Sequence, residues 1–391
     1  MLMNRQKTEL KNLTQMHGLN NIQSPVNKPI KFMVFLIAFI LIILIAHTYV
    51  FWHIWSILPL SPLWKTIIIS LCVLSFSCLF LYLSPVQDKM PMAVARIIYT
   101  LGTTWIIVLL YLVIAFLLLD IGRLCHIVPN TITHHSIPGS VGMILVLFAV
   151  LFCGNIRYYH KQCKTFDLSS SKVHRPAKLL FVSDLHLGYH NPRSEFHRWV
   201  ELMNAEHPDI ILIGGDIIDG NIHPLTEEAT WEEFKNLEAP IYACLGNHEY
   251  IAGRKESEEF YEKSGIHLLT DSSSVFQDFC IIGRDDRSNR NRKSVKSLLS
   301  RANRSKYTIL LDHQPYNLQE SSDAHIDLQL SGHTHHGQVW PINWITDAIY
   351  ECAYGRYSKS GTEFYISSGM GIWGGKFRIG TCSEYIVINI N

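Results

Sequence analysis

Four apolar stretches in the first 156 residues, at 32–55, 65–83, 93–119 and 141–156, constrain this chain more than anything else in it. Each approaches or exceeds the roughly 20 residues that an α-helix needs to cross a hydrocarbon core of about 30 Å, and the fourth is the shortest. The backbone finds no water at that depth, so such stretches must satisfy their own hydrogen bonds as helices. Pro59, Pro62, Pro85, Pro91, Pro129 and Pro138 fall between them, where the helices have to end. Residues 32–156 are therefore expected to be a transmembrane region of about four helices.

Residues 1–31 are polar and carry Arg5, Lys7, Lys11, Lys28 and Lys31, with no small-residue cleavage site behind a short apolar core. They are expected to be a basic cytoplasmic tail and not a cleavable signal peptide. The second connection (Lys89, Arg96) and the segment after the fourth stretch (Arg157, Lys161, Lys164, Lys172, Arg175, Lys178) are also basic, whereas the other two connections offer little beyond Lys65 and Arg123. The positive-inside rule then puts both termini in the cytoplasm. Nine cysteines without any Cys-x-x-Cys, several of them (Cys72, Cys78, Cys153) inside apolar runs, agree with a reducing compartment. His47, His53 and Asp120 are the ionisable exceptions in the spans, a functional hypothesis set against the nearness of His53 and Asp120 to water. His126, His134 and His135 in an outer connection read either as metal ligands or as a solvated loop.

After a linker at 157–177, residues 178–391 change character. Short runs rich in Ile, Leu and Val recur at 179–182, 210–213, 241–245, 279–282, 307–311, 364–366 and 385–390, bounded by glycine or polar residues as buried strands are. Helical patterns lie between several of them. Phe196, Trp199, Val200 and Met203 share a face behind a cap at Ser194, and Trp231, Phe234 and Leu237 come after a cap at Thr226. The result is an α/β domain of ordinary size.

The loops at the strand ends carry the chemistry. The run at 179–182 leads into Asp184 and His186, that at 210–213 into Gly215, Asp216 and Asp219, and that at 241–245 into Gly246, Asn247, His248 and Glu249. Later runs lead into Asp312, His313 and Pro315, and into Gly332, His333, His335 and His336. In layered α/β folds ligands sit at the carboxyl edge of the strands, so these five loops can converge. A His-x-His pair alone is weak evidence, since it also arises on one face of a strand. Carboxylates, imidazoles and an amide without cysteine suit manganese, iron or zinc, and the candidates outnumber the needs of one ion. Two divalent ions about 3.5–4 Å apart would bind a phosphate ester, activate a water between them and stabilise the leaving oxygen.

Asp184-x-His186, Gly215-Asp216-x-x-Asp219, Gly246-Asn247-His248-Glu249, His313-x-Pro315 and Gly332-His333-x-His335 occur in the order and approximate spacing of the calcineurin-like metallophosphoesterases. The resemblance covers about residues 178–391 and includes Ser367 to Gly371 and Arg378 to Gly380, which look like the closing elements of a bacterial, membrane-associated subgroup similar to YkuE and YaeI. It implies a sandwich of two central β-sheets flanked by helices, here preceded by the transmembrane bundle. It further implies one ion held by Asp184, His186 and His335, the other by Asn247, His313 and His333, with Asp216 bridging. His248 would face the substrate as the catalytic side chain, and Asp219 and Glu249 would orient ligating groups. His336 and Cys382 depart from the subgroup's usual glycine and proline, without removing a ligand.

Two further stretches bear on substrate. Arg284, Arg287, Arg290, Arg292, Lys293 and Lys296 form a basic run that reads as a phosphate or anionic-lipid grip, or as a solvated loop. Val339, Trp340, Pro341, Ile342, Trp344, Ile345 and Tyr350 read as a core connection or as a segment at the membrane interface. The leading expectation is a membrane-anchored phosphoesterase of the bacterial inner membrane, its domain cytoplasmic, acting on the phosphodiester or pyrophosphate of a lipid or lipid-linked nucleotide. Alternatives are the same chemistry on a soluble or nucleic-acid phosphodiester, and a non-catalytic membrane sensor or transport component. A net charge of +1 and a single short basic run argue against nucleic acid.

Overall fold

The computed structural model describes residues 27–84 and 86–391. The tail expected at 1–31 lies outside them up to residue 26. Among the described residues, four helices are long and apolar enough to cross a membrane. They are α1 (Asn27–Ile57), α2 (Pro62–Tyr82), α3 (Met92–Leu124) and α4 (Ile137–Tyr159). Pro62 opens α2 at a position where a missing N–H costs nothing, and the Ser136 hydroxyl caps α4 by accepting from the Gly139 amide.

Twelve strands come next. β1 (Lys161–Leu168), β2 (Ala177–Val182), β3 (Ile210–Ile213), β4 (Ile241–Ala243), β5 (His267–Leu268) and β12 (Ser383–Ile390) form one sheet in the order β1-β12-β2-β3-β4-β5. β6 (Ser272–Phe276), β7 (Phe279–Gly283), β8 (Tyr307–Leu311), β9 (Leu328–Ser331), β10 (Gly355–Lys359) and β11 (Thr362–Ile366) form the other, in the order β10-β11-β9-β8-β7-β6. Strand periodicity builds the layers. Leu179 and Phe181 of β2 point between the sheets, where they meet Ile281, Ile309 and Leu330, while Leu180 and Val182 point outward onto Phe196, Trp199 and Met203 of helix α5 (Arg193–Ala205). β2, β3 and β4 run parallel, as do β7, β8, β9 and β11, so each sheet delivers its loops to one edge.

Several expectations are corrected. Residues 161–168 are not linker: only His160 separates α4 from β1, which pairs in parallel with β12 from Lys161↔Ser383 to Leu168↔Ile390. Alternating polar residues on this edge strand hide it from an apolar-run reading. β6 and β10, both hairpin edges with exposed polar positions, escape for the same reason. Ser194 caps nothing, because α5 starts at Arg193 and its first amides bond to the Pro192 carbonyl. Thr226 sits inside a short helix, His223–Glu227, and a separate turn, Trp231–Phe234, carries the aromatic face.

The two-sheet domain rests directly on α3 and α4. Arg96 pairs with Glu228, His190 Nε2 lies 2.9 Å from the Thr100 hydroxyl, and the Tyr111 hydroxyl donates to the Trp340 carbonyl at 2.7 Å. On α4 the Tyr158 hydroxyl reaches Asn191 and Glu195, each at 2.6 Å, and the Arg378 amide bonds to the Gly154 carbonyl. The second connection joins them, since Asn221 donates to Asp88 at 2.7 Å and Met90 packs near Tyr189. That connection and the domain therefore lie at the same end of α3 and α4. A reporter fused after Asn391 is expected to read as cytoplasmic; an external signal would overturn the charge argument.

Candidate metal centre

The loops that leave β2, β3, β4, β8 and β9 meet in one buried spot. Among the described residues, three groups bring ligand atoms within 4.8 Å of one another: Asp184, His186 and His335; His186, Asp216 and His248; Asp216, His313 and His333. The first and third are linked through Asp216. His186 Nε2 lies 3.0 Å from His335 Nε2, and these two nitrogens stand 3.9 and 3.3 Å from Asp184 Oδ1. Asp216 Oδ2 is 3.7 Å from His186 Nε2 and 3.1 Å from His313 Nε2, which also lies 3.2 Å from Asn247 Oδ1. All seven expected ligands are thus brought together, with His248 against the His186 ring at a centroid distance of 4.5 Å.

The donor set fits divalent cations. His313 Nδ1 donates to the Gly214 carbonyl at 2.7 Å, and Nε2, 3.1 Å from Asp216 Oδ2, holds a second proton, because burial is outweighed by that carboxylate and the imidazole is raised well above its usual range; a divalent ion would take that proton's place. His186 Nδ1 lies 3.2 Å from Asp219 Oδ1 without hydrogen-bond alignment, and its Nε2 points toward His335 and Asp216. His186 Nε2 and His335 Nε2, 3.0 Å apart beside the Asp184 carboxylate, are donor atoms that one cation could share.

The chain accepts unusual geometry to build this spot. Asp184, His186, Asp216, His333 and His335 all have left-handed backbones, with φ of 55°, 44°, 53°, 70° and 48°. Such conformations cost about 1–3 kcal/mol each and persist only where the surroundings over-determine them. Two glycines permit the close approach. A Cβ on Gly246 would stand 2.1 Å from Asp216 Oδ1, and one on Gly332 would stand 2.1 Å from Asp184 Oδ2.

A ring of hydrogen bonds holds the turns. The buried Glu249 carboxylate accepts from the amides of Asp216 (3.1 Å), Ile218 (3.1 Å) and Gly246 (2.7 Å), tying two loops together as the orienting role expected of it requires. Asp184 accepts from the His333 amide at 3.0 Å, and Asp216 from the His248 amide at 2.9 Å. Asp219, which faces His186, also accepts a hydrogen bond from the Tyr99 hydroxyl of α3. A membrane helix is therefore two contacts away from a candidate ligand.

Arg378 is the structural residue that the sequence conceals. Its guanidinium is fully buried and donates to the carbonyls of His335 (2.9 Å), Ser368 (2.6 Å), Gly369 (3.2 Å) and Gly371 (2.8 Å). A lone arginine beside Ile379 and Gly380 gives no spacing signal for such a role. Burial pushes its pKa down to about 10, still far above neutrality, so it stays charged.

Charge is balanced within the cluster. Burial alone would raise the Asp184 carboxyl, but His335 and His313 outweigh it and hold Asp184 below the usual carboxylate range. Asp216 is depressed likewise, burial being outweighed by His313 and His248. His333 and His335 are pushed down to about 4 by burial, with His313 adding to the effect at His333 and His186 at His335. Both imidazoles are therefore uncharged near pH 7.

Three peripheral expectations are resolved. His336 turns away from the cluster, stacking on Tyr354 with its Nε2 3.6 Å from Asp347. The basic run divides: Arg284 and Arg292 bond to Asp312 and Lys293 to the Asp271 carbonyl, whereas Arg287 and Arg290 remain exposed, Arg287 lying over the Tyr316 ring at 4.0 Å. His126, His134 and His135 form no three-residue ligand group among the described residues.

Comparison with known proteins places this arrangement. Residues 177–337 match the family model described as calcineurin-like phosphoesterase. Over 255 residues the chain is 29% identical to an uncharacterized metallophosphoesterase of Campylobacter jejuni, covering 63% of this chain and 68% of that one. It is 31% identical over 229 residues to a transmembrane protein with metallophosphoesterase domain of Danio rerio, covering 53% of this chain and 51% of the relative. The matched regions thus span about half to two thirds of these relatives. The structure of Haemophilus influenzae NAD nucleotidase aligns with a TM-score of 0.36 at 16% identity, covering 50% of this chain and 45% of that one. Residues 177–337 are thus similar to calcineurin-like phosphoesterases, and all three His and Asp clusters lie within that matched stretch.

The geometry sets the outcome of three substitutions. Asp216→Ala is expected to strip metal from the purified protein, read by elemental analysis, because it alone joins the two outer groups; retained metal would refute its central place. His248→Ala is expected to keep the metal while lowering turnover by about 10²–10⁴, and metal loss would make it a ligand instead. Arg378→Met leaves four buried carbonyls short of a donor and is expected to lower the Tm in detergent by roughly 6–12 °C, from about 3 kcal/mol of lost stability. An unchanged Tm would contradict the clamp.

Proposed function

We propose that this protein is a membrane-anchored, metal-dependent phosphoesterase whose substrate is the phosphodiester or pyrophosphate of a lipid or lipid-linked nucleotide. Asp184, His186 and His335 on one side and Asn247, His313 and His333 on the other would hold two divalent ions, manganese, iron or zinc, with Asp216 placed between the two groups. When bound, such ions polarise the phosphoryl group and lower the pKa of a water. Catalysis takes place on the cytoplasmic face of a bacterial inner membrane, as in the membrane-associated subgroup that the closing motifs resemble. The basic tail and the membrane region precede a catalytic domain that meets α4 at His160.

The protein's own residues divide the remaining work. Asp184 and Asp216 remain ionised and fix the charge that the centre presents. His313 Nδ1 donates to Gly214 and His186 Nδ1 lies near Asp219, with their Nε2 atoms toward the centre. His248 is half-buried, held by its amide on Asp216, and is the side chain left to contact the phosphoryl oxygens and protonate the leaving oxygen. Tyr350, whose ring is 6.4 Å from that of His333, bonds to Tyr316 at 2.9 Å, and Arg287 covers Tyr316, giving one wall of the site an exposed cation.

The observation that favours a membrane substrate is the chain from α3 through Tyr99 and Asp219 to His186, which leaves the centre about one side chain from a spanning helix. A centre built for soluble diesters gains nothing from that position. The test is incubation of manganese-loaded protein with total lipid extract and nucleotide-linked precursors of its host membrane, followed by mass spectrometry. Loss of one lipid class with release of its headgroup is expected. Turnover of a soluble diester with every lipid untouched would overturn the lipid reading, and bound metal without any turnover would favour a non-catalytic role.

A further inference from the structure

The segment after the histidine pair folds into helix α6 (Ile342–Ile349), and none of its residues is buried. An ordinary surface helix buries its apolar side. Here Trp344, Ile345 and Ile349 are 62%, 53% and 59% exposed, while Asp347 reaches back toward His336 and the adjoining Tyr350 bonds to Tyr316. Trp340, just before the helix, is also exposed and stands edge-to-face with Trp344 at 5.4 Å. An outward apolar face of this kind needs an occupant.

The neighbouring membrane helix identifies it. Val339 and Ile342 pack with Ile107 and Tyr111 of α3 and with Leu147, Val150 and Leu151 of α4, and the Tyr111 hydroxyl satisfies the Trp340 carbonyl. α3 has 33 residues. At about 1.5 Å per residue it is about 50 Å long, against a hydrocarbon core of about 30 Å, so at most about 20 Å can project on the catalytic side. The backbone of Tyr111 is about 28 Å from the start of the helix, hence at least about 8 Å inside the hydrocarbon, and a tilt of the helix increases that depth. A tyrosine side chain pointing back toward the helix start reaches the hydrocarbon boundary, where Trp340 meets it. Water is scarce there, which accounts for a carbonyl bonded to a tyrosine and for tryptophans left facing outward.

We propose that α6 and Trp340 are inserted into the bilayer leaflet on the catalytic side, so that the metal centre opens at the depth of the lipid phosphates and receives its substrate laterally from that leaflet. Insertion is carried by the exposed face and the contact with α3; lateral delivery rests in addition on the lipid-substrate reading above. Arg287 and Arg290 stand on the same side of the centre as Tyr350, positioned for an anionic headgroup.

The full chain is reconstituted in phosphatidylcholine–phosphatidylglycerol vesicles with the photoreactive residue benzoylphenylalanine replacing one residue at a time. Trp344→benzoylphenylalanine and Ile345→benzoylphenylalanine are expected to yield lipid adducts on irradiation, as Leu118→benzoylphenylalanine on the lipid-facing side of α3 does, and Lys255→benzoylphenylalanine to yield none. Adducts at 118 with none at 344 or 345 would overturn insertion. The double variant Ile345→Glu with Ile349→Glu is expected to lose at least tenfold of its turnover on vesicle lipid while keeping that on bis(p-nitrophenyl) phosphate within twofold. Equal loss on both substrates would overturn lateral delivery. Adducts at 344 and 345 from a protein that hydrolyses no lipid would leave insertion standing and reject the lipid-substrate reading alone.

Discussion

Two carboxylates and five imidazoles share one buried volume at the seam of two β-sheets, and the rest of the domain is arranged around making that tolerable. Buried charge is costly unless it is compensated within hydrogen-bonding distance. Asp184 and Asp216 meet the condition through His335, His313 and His248, and Glu249 through three backbone amides. Parallel strands supply the geometry, because they end at one edge and release their loops in the same direction. Five left-handed residues bring the side chains inward, and at about 1–3 kcal/mol each they would rival the whole stability of a typical domain. Arg378 and Glu249 are what prevent those turns from relaxing.

The membrane region belongs to this arrangement. α4 continues into β1 with one residue between, and α3 lies along the domain from Arg96 to Tyr111. Tyr99 closes a contact chain that ends on His186. Helices that served only as a tether would need no such fit, and a flexible linker would do as well.

Much of this was legible in the sequence, for identifiable reasons. Strands buried on both faces are uninterrupted apolar runs, so β2, β3, β8 and their loops could be placed, and with them the seven candidate ligand positions. Edge strands alternate with polar residues, which is why β1 read as linker and β6 and β10 went unseen. Residues acting through the tertiary fold left no local trace. Nothing around Tyr99 distinguishes it from other span tyrosines, and nothing beside Arg378 shows that four carbonyls from distant turns converge on it. The Trp340–Ile349 segment was undecided between core and interface because its apolar content is the same for both. In the fold its apolar residues Trp344, Ile345 and Ile349 are exposed, which is the basis of the insertion proposal.

The central claim is that seven residues from five loops form one centre for two ions at the membrane surface. Anomalous diffraction from manganese-loaded crystals of the full chain tests it most directly. Two peaks sharing Asp216 are expected, one bounded by Asp184, His186 and His335, the other by Asn247, His313 and His333. A single peak, or two that do not share Asp216, would contradict the account.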